Sequence, residues 1–260
     1  MALVTGASSG IGVSYAHALA KRGFDLVLVA RRADRLREVA AALASTGAHV
    51  ETLVADLGDA AGLAAVGDVC RKRPLDLLVN NAGVAHYMTF ATLAPERADE
   101  IVRVNTLAVV SLARAAVGGM VARGRGAIIN VGSLLAFSGS MRRPGLPARA
   151  IYAGTKAFML AFTQVLAAEL ETTGVKVQVV CPGVVATEFH SSQGIDMSQV
   201  PRLSADDVVK GSLADLDRGV VVSVPTLEDV SALGQIDKAN MDLLATALRP
   251  ALASRYADKA

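Results

Sequence analysis

Tryptophan is absent from this 260-residue chain, and the aromatics together make up 4% of it. The core must then be built from Ala, Val, Leu and Ile, which suits a parallel sheet covered by helices on both faces. Cysteine is nearly absent too. Cys70 and Cys181 are the only two, too few for a disulfide framework and too far apart for a metal-ligand cluster. No metal site is expected, and a reducing compartment fits. A single-sign charge excess is missing: 26 basic against 24 acidic residues leave +2. Arg31-Arg32 and Arg142-Arg143 are pairs rather than tracts, unlike the clustered positive surface of a nucleic-acid binder. Gly, Arg or Asp interrupts the apolar stretches, so none is expected to cross a membrane. The first residues lack the basic start and long apolar stretch of a signal peptide. With 52% hydrophobic and 19% charged residues, disorder is excluded. The expectation is a soluble, cytoplasmic protein whose partner is a small molecule, with neither nucleic acid nor membrane.

What is present is alternation. Short Val/Leu/Ile-rich runs at 2–5, 24–30, 49–55, 75–80, 127–131, 175–181 and 220–224 predict strands buried on both faces. Amphipathic stretches at 11–22, 33–45, 60–72, 96–122, 151–171 and 205–217 predict helices between them. Repeated βα units imply right-handed crossovers and an α/β fold, a Rossmann-like doubly wound parallel sheet of about seven strands with helices on both faces. With no low-complexity linker and no fixed-period repeat, residues 1–260 read as one domain. Three segments break the alternation: 138–149, with two prolines, two glycines and three arginines; 183–203, polar and read as a substrate lid; and the extension 226–260, expected to be helical from about residue 236. The first two fall where strands end, which is where open α/β folds bind ligands.

The first such strand end carries Thr5-Gly6-Ala7-Ser8-Ser9-Gly10-Ile11-Gly12. Glycine serves where the chain turns sharply and where backbone must approach a phosphate closely. The helix that follows adds amide donors and a positive dipole end. A Gly/Ser-rich turn could be only a turn; its place at the first βα junction favours nucleotide binding. The Gly-xxx-Gly-x-Gly spacing here resembles the short-chain dehydrogenase/reductase family.

At the end of the second strand, Ala30 is followed by Arg31 and Arg32, with no carboxylate before Asp34. An acidic residue there would hold a ribose 2′-hydroxyl, whereas arginine accommodates a 2′-phosphate. NADP(H) is expected over NAD, with Arg31 as first contact and Arg32 in support. The alternative is a solvated pair opening a helix, a place where positive charge opposes the dipole.

Tyr152 and Lys156 are four apart on a predicted helix, so both side chains share one face. Reducing a ketone needs a proton donor at its oxygen. Free tyrosine, with a pKa near ~10, exchanges protons poorly at neutral pH. A nearby cation favours the phenolate, and Lys156 or an oxidised nicotinamide can supply it. The motif alone is weak. It gains weight because the glycine turn, Arg31, an Asn-Asn-Ala-Gly string, Ser133 and this pair stand in the family's order.

The resemblance assigns further roles. Asp56 and Leu57 match the family's adenine-contacting pair. Asn80-Asn81-Ala82-Gly83 matches its strand-end motif beside the adenosine ribose. Ser133 would orient the substrate oxygen beside Tyr152. Asn105, in mid-helix where asparagine is locally disfavoured, would order a water linked to Lys156. The implied proton path runs from Tyr152 through a ribose hydroxyl and Lys156 to that water. Pro182-Gly183-Val184-Val185-Ala186-Thr187 matches the segment whose Val185 backbone and Thr187 contact the nicotinamide amide. Homodimers or homotetramers through the helices at 96–122 and 151–171 are implied as well.

Several features stand outside the resemblance. The histidines His17, His49, His86 and His190 are scattered and read as incidental. The segment between Ser133 and Tyr152 is longer than the family's; Met141-Arg142-Arg143-Pro144-Gly145 and Pro147 mark an extra loop that could offer Arg142 or Arg143 to an anionic substrate, or simply be an exposed surface or subunit contact. Three functions remain in view: a ketone or aldehyde reductase, a non-catalytic NADP-binding regulator or sensor, and a different nucleotide-dependent enzyme on a similar sheet. An intact Ser133, Tyr152 and Lys156 set favours the first.

Overall fold

A computed structural model describes residues 1–139, 149–191, 193–197 and 199–256. The chain falls into two compact units, Met1–Pro225 and Thr226–Ala260. In the first, seven strands are β1 (Ala2–Thr5), β2 (Leu26–Ala30), β3 (Val50–Val54), β4 (Leu77–Asn80), β5 (Gly126–Val131), β6 (Val175–Val180) and β7 (Val222–Ser223). They form one parallel sheet in the order β3-β2-β1-β4-β5-β6-β7. The helices of this unit are α1 (Gly10–Lys21), α2 (Ala33–Leu43), α3 (Ala60–Lys72), α4 (Pro95–Val102), α5 (Ala108–Ala122), α6 (Ala150–Glu169), α7 (Glu188–Ser191) and α8 (Ala205–Asp217). The second unit carries α9 (Ser231–Ala247).

Strand residues alternate between faces, so each strand feeds two cores. Ala2, Val4, Leu26 and Leu28 pack with Tyr15 and Leu19 of α1, Leu36 of α2 and Leu213 of α8. Leu3, Val27, Val29 and Leu78 pack on the opposite face with Val66 of α3 and Leu112 and Met120 of α5. Burial on both faces explains why β1, β2 and β4 read as unbroken apolar runs. The strand order reverses between β1 and β4, which leaves a crevice above their C-terminal ends.

Three differences from the sequence reading have physical causes. The helix expected over 96–122 is interrupted: Arg103–Leu107 form a π turn between α4 and α5. One extra residue is accommodated there, a device that recurs at functional sites. The tail helix begins at Ser231 rather than near residue 236. Asp229 accepts hydrogen bonds from the Ser231 amide and hydroxyl at 2.9 and 2.8 Å, which anchors that earlier start. Third, two helical spans do reach membrane-spanning length and composition, Pro95–Ala122 and Ala150–Glu169. Their apolar character serves packing, since Leu112 and Met120 lie in the core and Met159 is fully buried.

Candidate active site

The turn after β1 is built by close backbone approach. Gly6 and Gly10 have φ of 65° and 53°, the left-handed region that glycine enters without a Cβ clash. A Cβ at Gly12 would run into the Gly6 carbonyl and stand 2.6 Å from Asn81 Nδ2. Asn81 laces the end of β4 to this turn: its Nδ2 donates to the Thr5 carbonyl at 2.8 Å and the Gly6 carbonyl at 3.2 Å. The Asn81 and Ala82 amides each donate to Thr5 Oγ1 at 3.0 Å. On the other side Thr187 touches the turn, its Cγ2 2.8 Å from where a Gly10 Cβ would lie. Ser9 opens α1 without a side-chain cap, and no acidic residue occupies the first turn. Asp59 caps α3 with its own carboxylate, whereas the first-turn amides of α1 carry no side-chain cap. This donor set fits a dinucleotide pyrophosphate. Arg32 lies along the same turn and donates to Ser8 Oγ at 3.2 Å and to the Ser8 carbonyl at 3.3 Å. Arg31 is turned toward Asp56 and Glu100, at 3.7 and 3.6 Å. Leu57 is buried beside them.

The catalytic candidates converge at the C-terminal ends of β4, β5 and β6. Asn105 projects from the π turn and is fully buried. Its Oδ1 accepts from the Val84 amide and its Nδ2 donates to the Val84 carbonyl, both at 2.9 Å. It thereby clamps the backbone that follows Gly83. A Cβ at Gly83 would meet Asn105 Oδ1 at 3.4 Å and Lys156 Nζ at 3.8 Å, so these groups are neighbours. Lys156 Nζ donates to the Val131 carbonyl at 2.8 Å. Burial disfavours its charge and lowers its pKa to about 8. Ser133 follows β5, where its Oγ accepts from the Leu135 amide at 3.2 Å, and it acts on the Tyr152 phenol in the direction of the phenolate. Gly183 leaves room for Leu134, whose amide donates to the Pro182 carbonyl at 2.9 Å. Val185 pairs with Leu203, which joins the two ends of the segment over 183–203. Beneath that segment is a cavity of about 310 Å³, lined in part by Val185, Thr187, His190, Met197 and Arg202.

Burial dominates at the Tyr152 phenol and pushes it up to about 12. Among the described residues the strongest opposing influence is Arg149, ahead of Ser133. Lys156 Nζ stands 5.6 Å from the Tyr152 ring centroid while bonded to Val131. The Arg149 guanidinium is nearer, at 5.1 Å. The sequence did offer one signal for it: Arg149 precedes Tyr152 by three residues, one helical turn.

His190 is engaged rather than incidental: its Nδ1 pairs with the Tyr87 hydroxyl and its ring packs 5.5 Å from that of Phe189. Phe189 in turn packs 6.2 Å from Tyr152. His86 bonds Glu100 at 3.2 Å instead. Arg142 and Arg143, considered for an anionic substrate, lie outside the described residues.

The short chain dehydrogenase family model matches residues 1–197. A short-chain dehydrogenase from Sphingobium yanoikuyae, solved in complex with NADPH, is similar over 98% of this chain and 99% of its own, with a TM-score of 0.93 and 38% identity. The ketoacyl reductase HetN of a Nostoc species is 30% identical over 253 residues, covering 92% of this chain and 86% of the relative. A very-long-chain 3-oxoacyl-CoA reductase of Mycosarcoma maydis is 36% identical over 182 residues, and there the match spans 68% of this chain but only 50% of the relative. With a seven-stranded parallel sheet, a glycine turn at its switch point, and Asn105, Ser133, Tyr152 and Lys156 gathered beside it, the chain belongs to the short-chain dehydrogenase/reductase family, nicotinamide-dependent oxidoreductases that interconvert C=O and CH–OH.

Proposed function

We propose that this chain reduces a ketone with NADPH, using Tyr152 as the proton donor. The observation that carries the reading is Tyr152, 8% exposed and one helical turn before Lys156, whose Nζ stands 5.6 Å from its ring centroid. When bound, the cofactor supplies the hydride. The chain's part is to hold the proton at Tyr152 Oη and to present the Ser133 hydroxyl to the same substrate oxygen. Lys156 keeps a second ionisable group behind them, and Asn105 fixes the backbone against which Lys156 packs. Burial excludes water from the phenol, which strengthens each of these interactions. The probe experiment is a panel of acetophenone, ethyl acetoacetate and acetoacetyl-CoA, followed by NADPH absorbance. The last two enter because the Nostoc and Mycosarcoma relatives are named for ketoacyl substrates. No turnover of any ketone by a folded, NADPH-binding protein would sink the reading.

The preference for NADPH rests on Arg32. No carboxylate follows β2 at the place where NAD-selective folds hold the ribose hydroxyls. Arg32 is braced by Ser8 on one side and by Glu188 at 3.2 Å on the other. Its planar donors are thus already at the turn, where a 2′-phosphate would accept them. In this reading Arg32 takes the first contact, and Arg31, held by two carboxylates, supports it. Arg32→Ala is expected to raise the KM for NADPH by about 10-fold, the scale of one charge-assisted hydrogen bond, and to leave that for NADH nearly unchanged. Initial rates with both cofactors check this. An equal rise for both would remove Arg32 from the 2′-phosphate site.

A further inference from the structure

We propose that Arg149 is a positioning residue of the active site, a guanidinium fixed over the Tyr152 ring that favours its phenolate and thereby tunes its proton exchange. This rests on the reading of Tyr152 as the proton donor and adds a second cation to it.

The geometry comes first. Arg149 immediately precedes α6 and lies one turn before Tyr152. Its guanidinium carbon is 4.3 Å from the Tyr87 ring centroid and 5.1 Å from that of Tyr152. Both distances fall within the range of cation–π attraction. Two further segments fix this placement. Tyr87 comes from the loop after β4 and carries the guanidinium over its ring face. His190 on α7 engages the Tyr87 hydroxyl, and Phe189 packs against both His190 and Tyr152. The guanidinium is therefore held by rings from two other segments rather than free to swing into solvent.

The chemistry follows from charge. A phenolate buried among apolar rings is costly unless a cation stands near it. Among the described residues, the groups facing Tyr152 are few. Ser133 offers a neutral hydroxyl, and Tyr87 is a second phenol whose ionised form would oppose that of Tyr152. Lys156 is tied to Val131, has Cys181 beside it, and has its own charge disfavoured by burial. His190 is driven toward its neutral form by burial and by the Arg149 charge, so it adds no competing cation. Arg149 carries a permanent charge, since guanidinium does not deprotonate in proteins. It is the largest influence opposing burial at Tyr152.

The test reads the phenolate directly. The NADP⁺-loaded protein is titrated while its near-ultraviolet phenolate absorbance is followed, and the same curve for Tyr152→Phe is subtracted. Arg149→Met, again against its own Tyr152→Phe partner, should move the Tyr152 midpoint upward by about one pH unit, the scale of an opposite charge within about 4–6 Å. Arg149→Lys, which keeps a cation, should recover most of that shift. Arg149→Gln serves equally if the methionine variant does not fold. An unmoved midpoint in the uncharged variants would overturn the proposal, as would a lysine variant that shifts as far as methionine. A Tyr152→Phe protein that still reduces ketones would sink the proton-donor reading and leave the midpoint shift standing, so the two failures are distinguishable.

Discussion

Tyr152→Phe should abolish nearly all turnover, by about 10³-fold within the 10²–10⁴ range of general acid–base catalysis, and should leave NADPH binding intact. The substitution removes one hydroxyl and keeps the ring. That ring is what packs against Phe189 and lies under Arg149, so the wall of the cleft survives. What disappears is the proton held at Tyr152 Oη. Steady-state rates on the best panel ketone measure the first effect. Quenching or enhancement of NADPH fluorescence on titration measures the second. Turnover within about tenfold of the parent would mean that another group donates the proton. Loss of NADPH binding as well would mean that the hydroxyl holds the crevice together, which the observed contacts do not suggest.

Gly12→Ala is the second large effect, and it acts on the turn rather than on chemistry. The added methyl would run into the Gly6 carbonyl and stand 2.6 Å from Asn81 Nδ2. Neither neighbour yields cheaply. One is backbone, and the other is pinned by hydrogen bonds to the Thr5 and Gly6 carbonyls. The turn must open, at a cost of about 1–3 kcal/mol as for other overpacked sites. For a chain of this size that is a fall in Tm of roughly 2–4 °C per kcal/mol. Opening also moves the first amides of α1, so NADPH affinity should fall by at least about tenfold, one charge-assisted contact's worth. Thermal melts with and without saturating NADPH report both: the parent gains stability from the ligand, and the variant should gain much less. Gly118→Ala is the control. Nothing lies within 4 Å of its Cβ position, its backbone is helical, and it should be neutral or slightly stabilised. A Gly12→Ala protein matching the parent in Tm and in ligand-induced stabilisation would refute this account of the turn.

Where the sequence signal was local, it was legible to the residue. The expected helices at 60–72 and 205–217 match α3 and α8, and each begins on a side chain that caps it, Asp59 and Ser204. β1 is likewise found where its apolar run lies, because a strand buried on both faces leaves no polar interruption. The glycine turn, the β4 motif and the Tyr152–Lys156 spacing were readable for the same reason: each is a short pattern whose chemistry demands particular residues in order. The π turn was not readable, since apolar periodicity continues on both sides of it and one extra residue changes composition by nothing. Asn105 in mid-helix was its only trace. The Arg149–Tyr87 contact was also hidden, because it joins positions 62 apart with no shared pattern (149 less 87). Likewise, the separate partners of Arg31 and Arg32, Asp56 and Glu100 for one and Ser8 for the other, are far apart in sequence and meet only in the folded sheet.

The widened turn at Arg103–Leu107 has a consequence for deletion and insertion in this chain. A wide turn carries its surplus residue without rotating the helix that follows. Removing one residue between 103 and 107 would restore a regular backbone ladder and leave α4 and α5 in phase. Val109, Leu112, Ala116 and Met120 would still point into the core. What the deletion takes away is the local widening from which Asn105 reaches Val84. A shorter, locally better helix would keep its packing and lose its clamp.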